Sequence, residues 1–355
     1  VLRSPSTTCS VSVISDRNPG ASMTSTVTAP AAPAADTGRR ALAFFASYGT
    51  LIVLAAMIIG FGVARPVEFL SERNLINVLN QSALLAIVAG GLTYVLVAGQ
   101  FDLSFANIIS FSGILCVGLL ERSGLPIPVA IGGSLLAAIA VGIANGVLVA
   151  YLRIHAIVAT LATSTVLLGL NFLYSNGAPI TLGEGGFTDI ARGALAGIPI
   201  PVIAMAAVLA ILWLVLNRTL LGHHLQATGS NTAAARLAGV AVGRVTLAAF
   251  VCAAVCAAIC GVLLSSRIGS GMVTAGDGFL LSAFAAAFLG ASVIRDGQFH
   301  ILGTFVGVLI VSIAGNGLAI LGAQSYVLYL VQGLVLLAAV ALSTTSRRVL
   351  GRRRT

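Results

Sequence analysis

Lysine is absent: all 19 basic residues in the 355-residue chain are arginine. The chain therefore has no P-loop lysine to reach the β- and γ-phosphates of a nucleotide, and no amine for a Schiff base. Charge of either sign is scarce, with 8% Asp, Glu, Lys and Arg against 58% hydrophobic residues and a mean hydropathy of +1.06. A soluble domain carries about a quarter charged residues, so a soluble enzyme is excluded. A membrane enzyme is poorly served as well, because there is no paired carboxylate, no H-E-x-x-H helix and no nucleophile with a histidine partner. The five cysteines show no spacing of a disulfide framework. A net charge of +9 raises nucleic acid as a partner, but the arginines are scattered between apolar runs with no aromatic stripe. They read as topology signals, and no nucleic-acid partner is expected.

What the chain has in abundance is long apolar runs. A helix needs about 20 mainly apolar residues to cross a bilayer. Beyond residue 40 such stretches lie near 41–63, 75–99, 104–120, 127–151, 156–175, 199–217, 245–266, 279–294, 300–322 and 326–343. The expectation is an all-α integral membrane protein of about ten spans, the third and eighth short enough to be re-entrant or broken. Residues 1–40, rich in Ser, Thr, Pro and Ala, hold no apolar run long enough for a signal peptide and read as disordered. Residues 41–343 are expected to form the transmembrane domain and 344–355 a basic tail. With the amino terminus inside, the cytoplasmic side receives 14 arginines and the external side 5 (Arg65, Arg73, Arg122, Arg192 and Arg267). An even number of spans then leaves both termini in the cytoplasm of a cell-membrane protein.

Two segments in the halves are alike. Ala98-Gly99-Gln100-Phe101-Asp102-Leu103-Ser104 resembles Ala275-Gly276-Asp277-Gly278-Phe279-Leu280-Leu281-Ser282, and Ile143-Ala144-Asn145-Gly146-Val147-Leu148 resembles Ala314-Gly315-Asn316-Gly317-Leu318-Ala319. Either these are chance matches in an Ala/Gly/Leu-rich chain, or a five-helix unit is duplicated. Five being odd, the second copy then enters from the opposite side, as an inverted repeat. Gly142-x3-Gly146 and Gly303-x3-Gly307 are close-packing motifs. Cys252, Cys256 and Cys260 share one helix face as small buried thiols, and His223-His224 read as solvated loop residues.

The internal loop, about 218–244, carries Gly222, Ala227, Gly229, Asn231, Ala234, Ala235, Arg236 and Gly239. Asn231 is a good N-cap, Thr232 to Ala238 favour helix, and Gly239 suits the left-handed residue that ends one. A two-turn helix is too short to be stable alone, so it must lie against its own bundle, the lipid surface or a separate subunit. The external loop, 176–198, is Gly-rich and carries Glu184 and Asp189.

The order of the loop residues resembles the coupling loop of ATP-binding-cassette importer permeases of the ribose/xylose/arabinose type. Asp102-Leu103-Ser104, Ala159-Thr160-Leu161, Leu289-Gly290-Ala291-Ser292, Gly297, Gly303-Thr304, Asn316-Gly317-Leu318 and Gly333 extend the likeness over about 75–342. Departures at Gln100, Phe105-Ala106 and Ala233 bear on substrate class more than on fold. The resemblance implies a permease dimer, of one chain or of two paralogues, in the lipid bilayer. It also implies an ATP-binding subunit docked on the short helix and an extracytoplasmic solute-binding protein. ATP and Mg would sit on the partner, and this chain would bind no cofactor or metal and have no catalytic residue.

Polar residues inside the apolar stretches are few. A charge at mid-bilayer costs about 3 kcal/mol on insertion scales, so Asp102 either lines a path or gate with Ser104, or caps the third span. Asn107, Asn145, Asn171 and Asn316 offer amides of the kind that bind a neutral polyol, or that join helices. Two alternatives stand beside the importer permease: an autonomous ion-coupled transporter, for which Asp102 is the one intramembrane acid, and a branched-chain amino-acid permease of the same class.

Overall fold

The computed structural model describes residues 37–183, 186–291, 298–324, 326–327, 329–334 and 336–337, with side chains from Thr50 onward. In chain order the helices are α1 (Thr37–Ala64), α2 (Pro66–Phe69), α3 (Glu72–Val97), α4 (Phe105–Glu121), α5 (Ile127–Ala150), α6 (Ala156–Ser175), α7 (Asp189–Arg192), α8 (Ile200–Arg218), α9 (Leu220–Ser230), α10 (Thr232–Leu237), α11 (Val242–Ile268), α12 (Asp277–Ala291) and α13 (Ile301–Ile320). The described residues from Ala41 onward form one compact unit. Of the segment 1–40 expected to be disordered, residues 37–40 are helical as the start of α1 and residues 1–36 lie outside the described residues, as do the basic tail 344–355 and residues 328, 335 and 338–343 of the expected tenth span.

Among the described residues six helices, α3, α5, α6, α8, α11 and α13, are long and apolar enough to cross a membrane. The two expected to be short are α4 with 17 residues and α12 with 15. Local sequence sets the helix starts. Ser71 caps α3 by accepting from the Asn74 amide at 3.3 Å, and prolines open α2, α5 and α8, where a missing amide hydrogen leaves no partner unsatisfied.

Helices α3 and α11 form the centre. Two-thirds of their apolar windows is buried within the protein, 67% in each, against 22% in α5 and α8. Small residues allow this close approach. Gly91 of α3 lies against the Cys256 and Ala253 face of α11, so the cysteine row is packing surface. Helices α4 and α5 pack on α11, whereas α12 and α13 pack on α3. Gly142 and Gly146 seat α5 on α11, and Gly303 and Gly307 seat α13 on α12, as expected of small-x3-small pairs.

The α6–α8 connection, expected as a Gly-rich loop, is an ordered cap at one end of the bundle. Strand β1 (Ile180–Thr181) pairs antiparallel with β4 (Ser270–Gly271), and β2 (Ala194–Leu195) pairs with β3 (Ile198–Pro199). Ser266 Oγ donates to the Phe187 carbonyl at 2.6 Å and accepts from the Ala191 amide at 3.0 Å, tying α7 to the end of α11. Glu184 lies outside the described residues.

Candidate functional site

Two polar features converge at the other end of the bundle. The first is the connection between α8 and α11. After Arg218 the chain breaks at Thr219, whose extended backbone ends α8 and whose hydroxyl caps α9 by accepting from the Gly222 amide at 3.4 Å. Gly222 is buried against the Leu216 carbonyl, and Ala227 and Gly229 follow on the same helix. The histidines expected on a loop therefore lie on α9, with His223 Nδ1 2.8 Å from the Thr219 carbonyl oxygen. Helix α9 was not foreseen because its glycines at 222 and 229 suggest a turn. They are helical here because close neighbours leave no room for a Cβ.

Asn231 separates α9 from α10 in extended conformation (φ −158°), and its Oδ1 accepts from the Ala234 amide at 3.0 Å. At the far end Gly239 takes φ +83°, and the Gly239 and Val240 amides donate to the Arg236 and Ala235 carbonyls. That paired closure is the glycine-terminated helix end expected from sequence. Ala235 is the buried residue of α10, while Ala233, Ala234 and Arg236 face solvent and Leu237 is 91% exposed. Leu237 is a feature the sequence reading passed over, although an isolated leucine in a polar loop is a recognisable signal.

Gly229 packs directly on the α3–α4 turn: a Cβ there would overlap the Val97 carbonyl oxygen, and Gly99 lies against the Gly229 Cα. That turn leads into the second feature. Asp102 is fully buried, and its Oδ1 accepts from the Ser104 amide at 2.8 Å and the Ser104 hydroxyl at 2.6 Å. The Ser104 hydroxyl accepts from Asn145 Nδ2 of α5 at 2.8 Å, and Asn145 Oδ1 accepts from Thr163 of α6 at 2.7 Å. Alongside, the Leu103 amide donates to Thr160 Oγ1 at 3.1 Å and Asn107 Nδ2 donates to Ser164 Oγ at 2.7 Å. Thr160, Thr163 and Ser164 stand three and four residues apart and so share one face of α6.

This seam joins α4, α5 and α6 through hydroxyls and amides. Among the described residues no arginine pairs with Asp102, its Oδ2 has no partner, and neither does Asn107 Oδ1. Asp102 does not itself occupy the N-cap position of α4. Ser104 holds that place, with helical backbone and no side-chain cap bond, and Asp102 braces the turn two residues earlier. The seam thus offers open acceptors beside hydroxyl donors.

The remaining amides lie elsewhere. Asn316 of α13 exchanges two hydrogen bonds with Asn74 of α3, at 2.8 and 3.0 Å, and Asn74 also donates to the Phe69 carbonyl at 2.9 Å. Asn74 begins α3 and Asp102 follows its end, 28 residues on, so Asn316 belongs to a separate structural clamp. It is not brought to the seam that Asn145 joins. Asn171, further along α6, contacts the Val273 carbonyl at 3.5 Å and leaves its Oδ1 unpartnered.

Residues 74–340 match the family described as the branched-chain amino acid transport system / permease component. The ribose import permease protein RbsC of Bacillus subtilis (strain 168) is 37% identical over 296 residues, covering 83% of this chain and 91% of that protein. RbsC of Haemophilus influenzae is 33% identical over 298 residues, covering 83% and 91%. The L-arabinose ABC transporter permease protein AraH of Azospirillum brasilense is 33% identical over 273 residues, covering 77% and 80%. No solved structure matches. The match spans the seam, the clamp and the α9–α10 connection, and on that extent the chain belongs to this family of transport-system permease components.

Proposed function

We propose that the chain is the membrane-spanning subunit of an ATP-binding-cassette importer for a small neutral solute, a monosaccharide of the ribose or xylose kind, using ATP hydrolysed by a separate subunit. The observation that carries this reading is α10. A helix capped at both ends, seated by Ala235 alone and exposing Ala233, Ala234, Arg236 and Leu237, is preformed for a partner groove. ATP and Mg belong to that partner, and this chain binds no cofactor. The solute supports the same reading. A seam of amides and hydroxyls suits a polyol, and similar proteins are named for ribose, L-arabinose and D-allose transport.

The rest of the assembly follows from the same reading. The end with α9 and α10 faces the cytoplasm with both termini, and the cap formed by β1 to β4 and α7 receives solute from an extracytoplasmic binding protein. Two permease chains, identical or paralogous, line the pathway in the cytoplasmic membrane, each with about ten spans. Two inverted five-helix units are supported by the exchange of partners at the centre, where α3 packs on α12 and α13 while α11 packs on α4 and α5.

The test is co-purification of the tagged chain with a co-expressed ATP-binding subunit. The pair is expected to hold together with the native sequence and to separate on Leu237→Asp, with the permease still present at its usual level in the membrane. Stable association unaffected by Leu237→Asp and by Arg236→Glu would refute α10 as the docking element.

A further inference from the structure

Between α4 and α6, at the end of the bundle away from α10, lies a groove of about 480 Å³ lined by Phe111, Leu115, Leu170 and Leu173, with Arg122, Tyr174 and Asn176 at its mouth. The two helices touch at that mouth, where the Tyr174 side chain lies against Gly118 and leaves no space for a Cβ. Between this contact and the Asn107–Ser164 hydrogen bond, the walls Phe111, Leu115, Leu170 and Leu173 are apolar. Leu173 is 74% exposed and Leu170 is also exposed, so the groove opens sideways along the helix faces. In a multi-pass membrane protein a face exposed on the single chain meets lipid or a second copy of the chain.

The Arg122 guanidinium is held over the mouth. It stacks on the Tyr174 ring at 5.3 Å from the centroid and donates through one terminal nitrogen to the Tyr174 carbonyl. Among the described residues no carboxylate pairs with it, and the residue is exposed. A cation held above an apolar slot complements an anionic lipid by charge at its headgroup and by apolar contact along an acyl chain. A sugar is a poor occupant, because the walls supply no hydrogen-bond donor or acceptor to satisfy its hydroxyls.

We infer that this groove is a binding site for one anionic phospholipid, its phosphate on Arg122 and an acyl chain along Phe111, Leu115, Leu170 and Leu173. The site lies apart from the polar seam and from α10, and it regulates nothing that the transport reading requires. The guanidinium supplies the headgroup preference and the slot supplies retention.

The test is native mass spectrometry of the full chain purified in detergent, titrated with phosphatidylglycerol or with phosphatidylcholine of the same acyl chains. One phosphatidylglycerol is expected to be retained at roughly tenfold lower concentration than phosphatidylcholine, a difference of about 1.4 kcal/mol. Arg122→Gln is expected to abolish that preference and Arg122→Lys to keep most of it. Leu115→Trp, which fills the slot, is expected to remove retention of both lipids, and inorganic phosphate alone is expected not to compete. Equal retention of the two lipids by the native protein, or a preference that survives Arg122→Gln, would overturn the inference. So would a photocrosslinker at Leu173 that captures a second copy of the chain in native membranes in place of lipid.

Discussion

Asp102 carries two separable duties. One oxygen receives both Ser104 groups and shapes the entry to α4, while the other has no partner. Asparagine keeps an acceptor for Ser104 and loses the charge, whereas alanine removes both. Asp102→Ala is therefore expected to lower stability by about 1–3 kcal/mol, the usual cost of leaving buried polar groups unpaired, and this is measurable as a fall in the melting midpoint of the detergent-solubilised protein. Asp102→Asn is expected to leave that midpoint nearly unchanged and to cut solute uptake by roughly tenfold, about 1.4 kcal/mol of barrier. Full uptake by Asp102→Asn at normal protein level would reduce Asp102 to a brace for the turn. Asn145 is the next most connected residue, and its replacement by Leu is expected to lower both the midpoint and uptake, since it strands Ser104 and Thr163 together. A lone acid in an apolar chain was visible in the sequence. Its partners on α5 and α6 were not, because Asn145, Thr160 and Thr163 are brought to it by helix packing across 40 to 60 residues.

Among the elements, α10 was legible nearly residue by residue, because caps are local chemistry: Asn231 and Gly239 stand where the backbone needs them. Asn231→Ala is expected to cost about 1 kcal/mol of helix stability and to weaken capture of the ATP-binding subunit, with Asn231→Asp restoring it. Helix α9 was hidden for the opposite reason. Its glycines signal flexibility locally, and only the close approach of Leu216 and Val97 explains them. That approach makes α9 the link between α10 and the Asp102 turn. Gly229→Ala must push α9 off the Val97 carbonyl, so solute moved per ATP hydrolysed is expected to fall while the ATP-binding subunit still co-purifies. Unchanged stoichiometry would mean that the contact only fills space. The cap between α6 and α8 likewise has the sequence of a loop, since two-residue strands such as Ile180–Thr181 and Ser270–Gly271 acquire their pairing from segments about 90 residues apart.

For the whole molecule, hydropathy located the helices because a bilayer demands long apolar runs, and it also marked α4 and α12 as short. It could not order them in space. The central place of α3 and α11 follows from small residues such as Gly91, Ala253 and Cys256, which allow backbones to approach; apolar character does not single out the pair, since α11 is the most apolar of the six long helices and α3 the least. The same arrangement separates Asn316 from Asn145 despite their matching sequence neighbourhoods. The likeness of those motifs therefore does not make them one site. The decisive measurement is solute uptake into proteoliposomes containing this chain with or without its ATP-binding subunit, with ATP or an imposed ion gradient as the energy source. Uptake is expected only with that subunit, a solute-binding protein and ATP, and it is expected to be lost on Leu237→Asp. Uptake by this chain alone, driven by an ion gradient, would contradict the assignment.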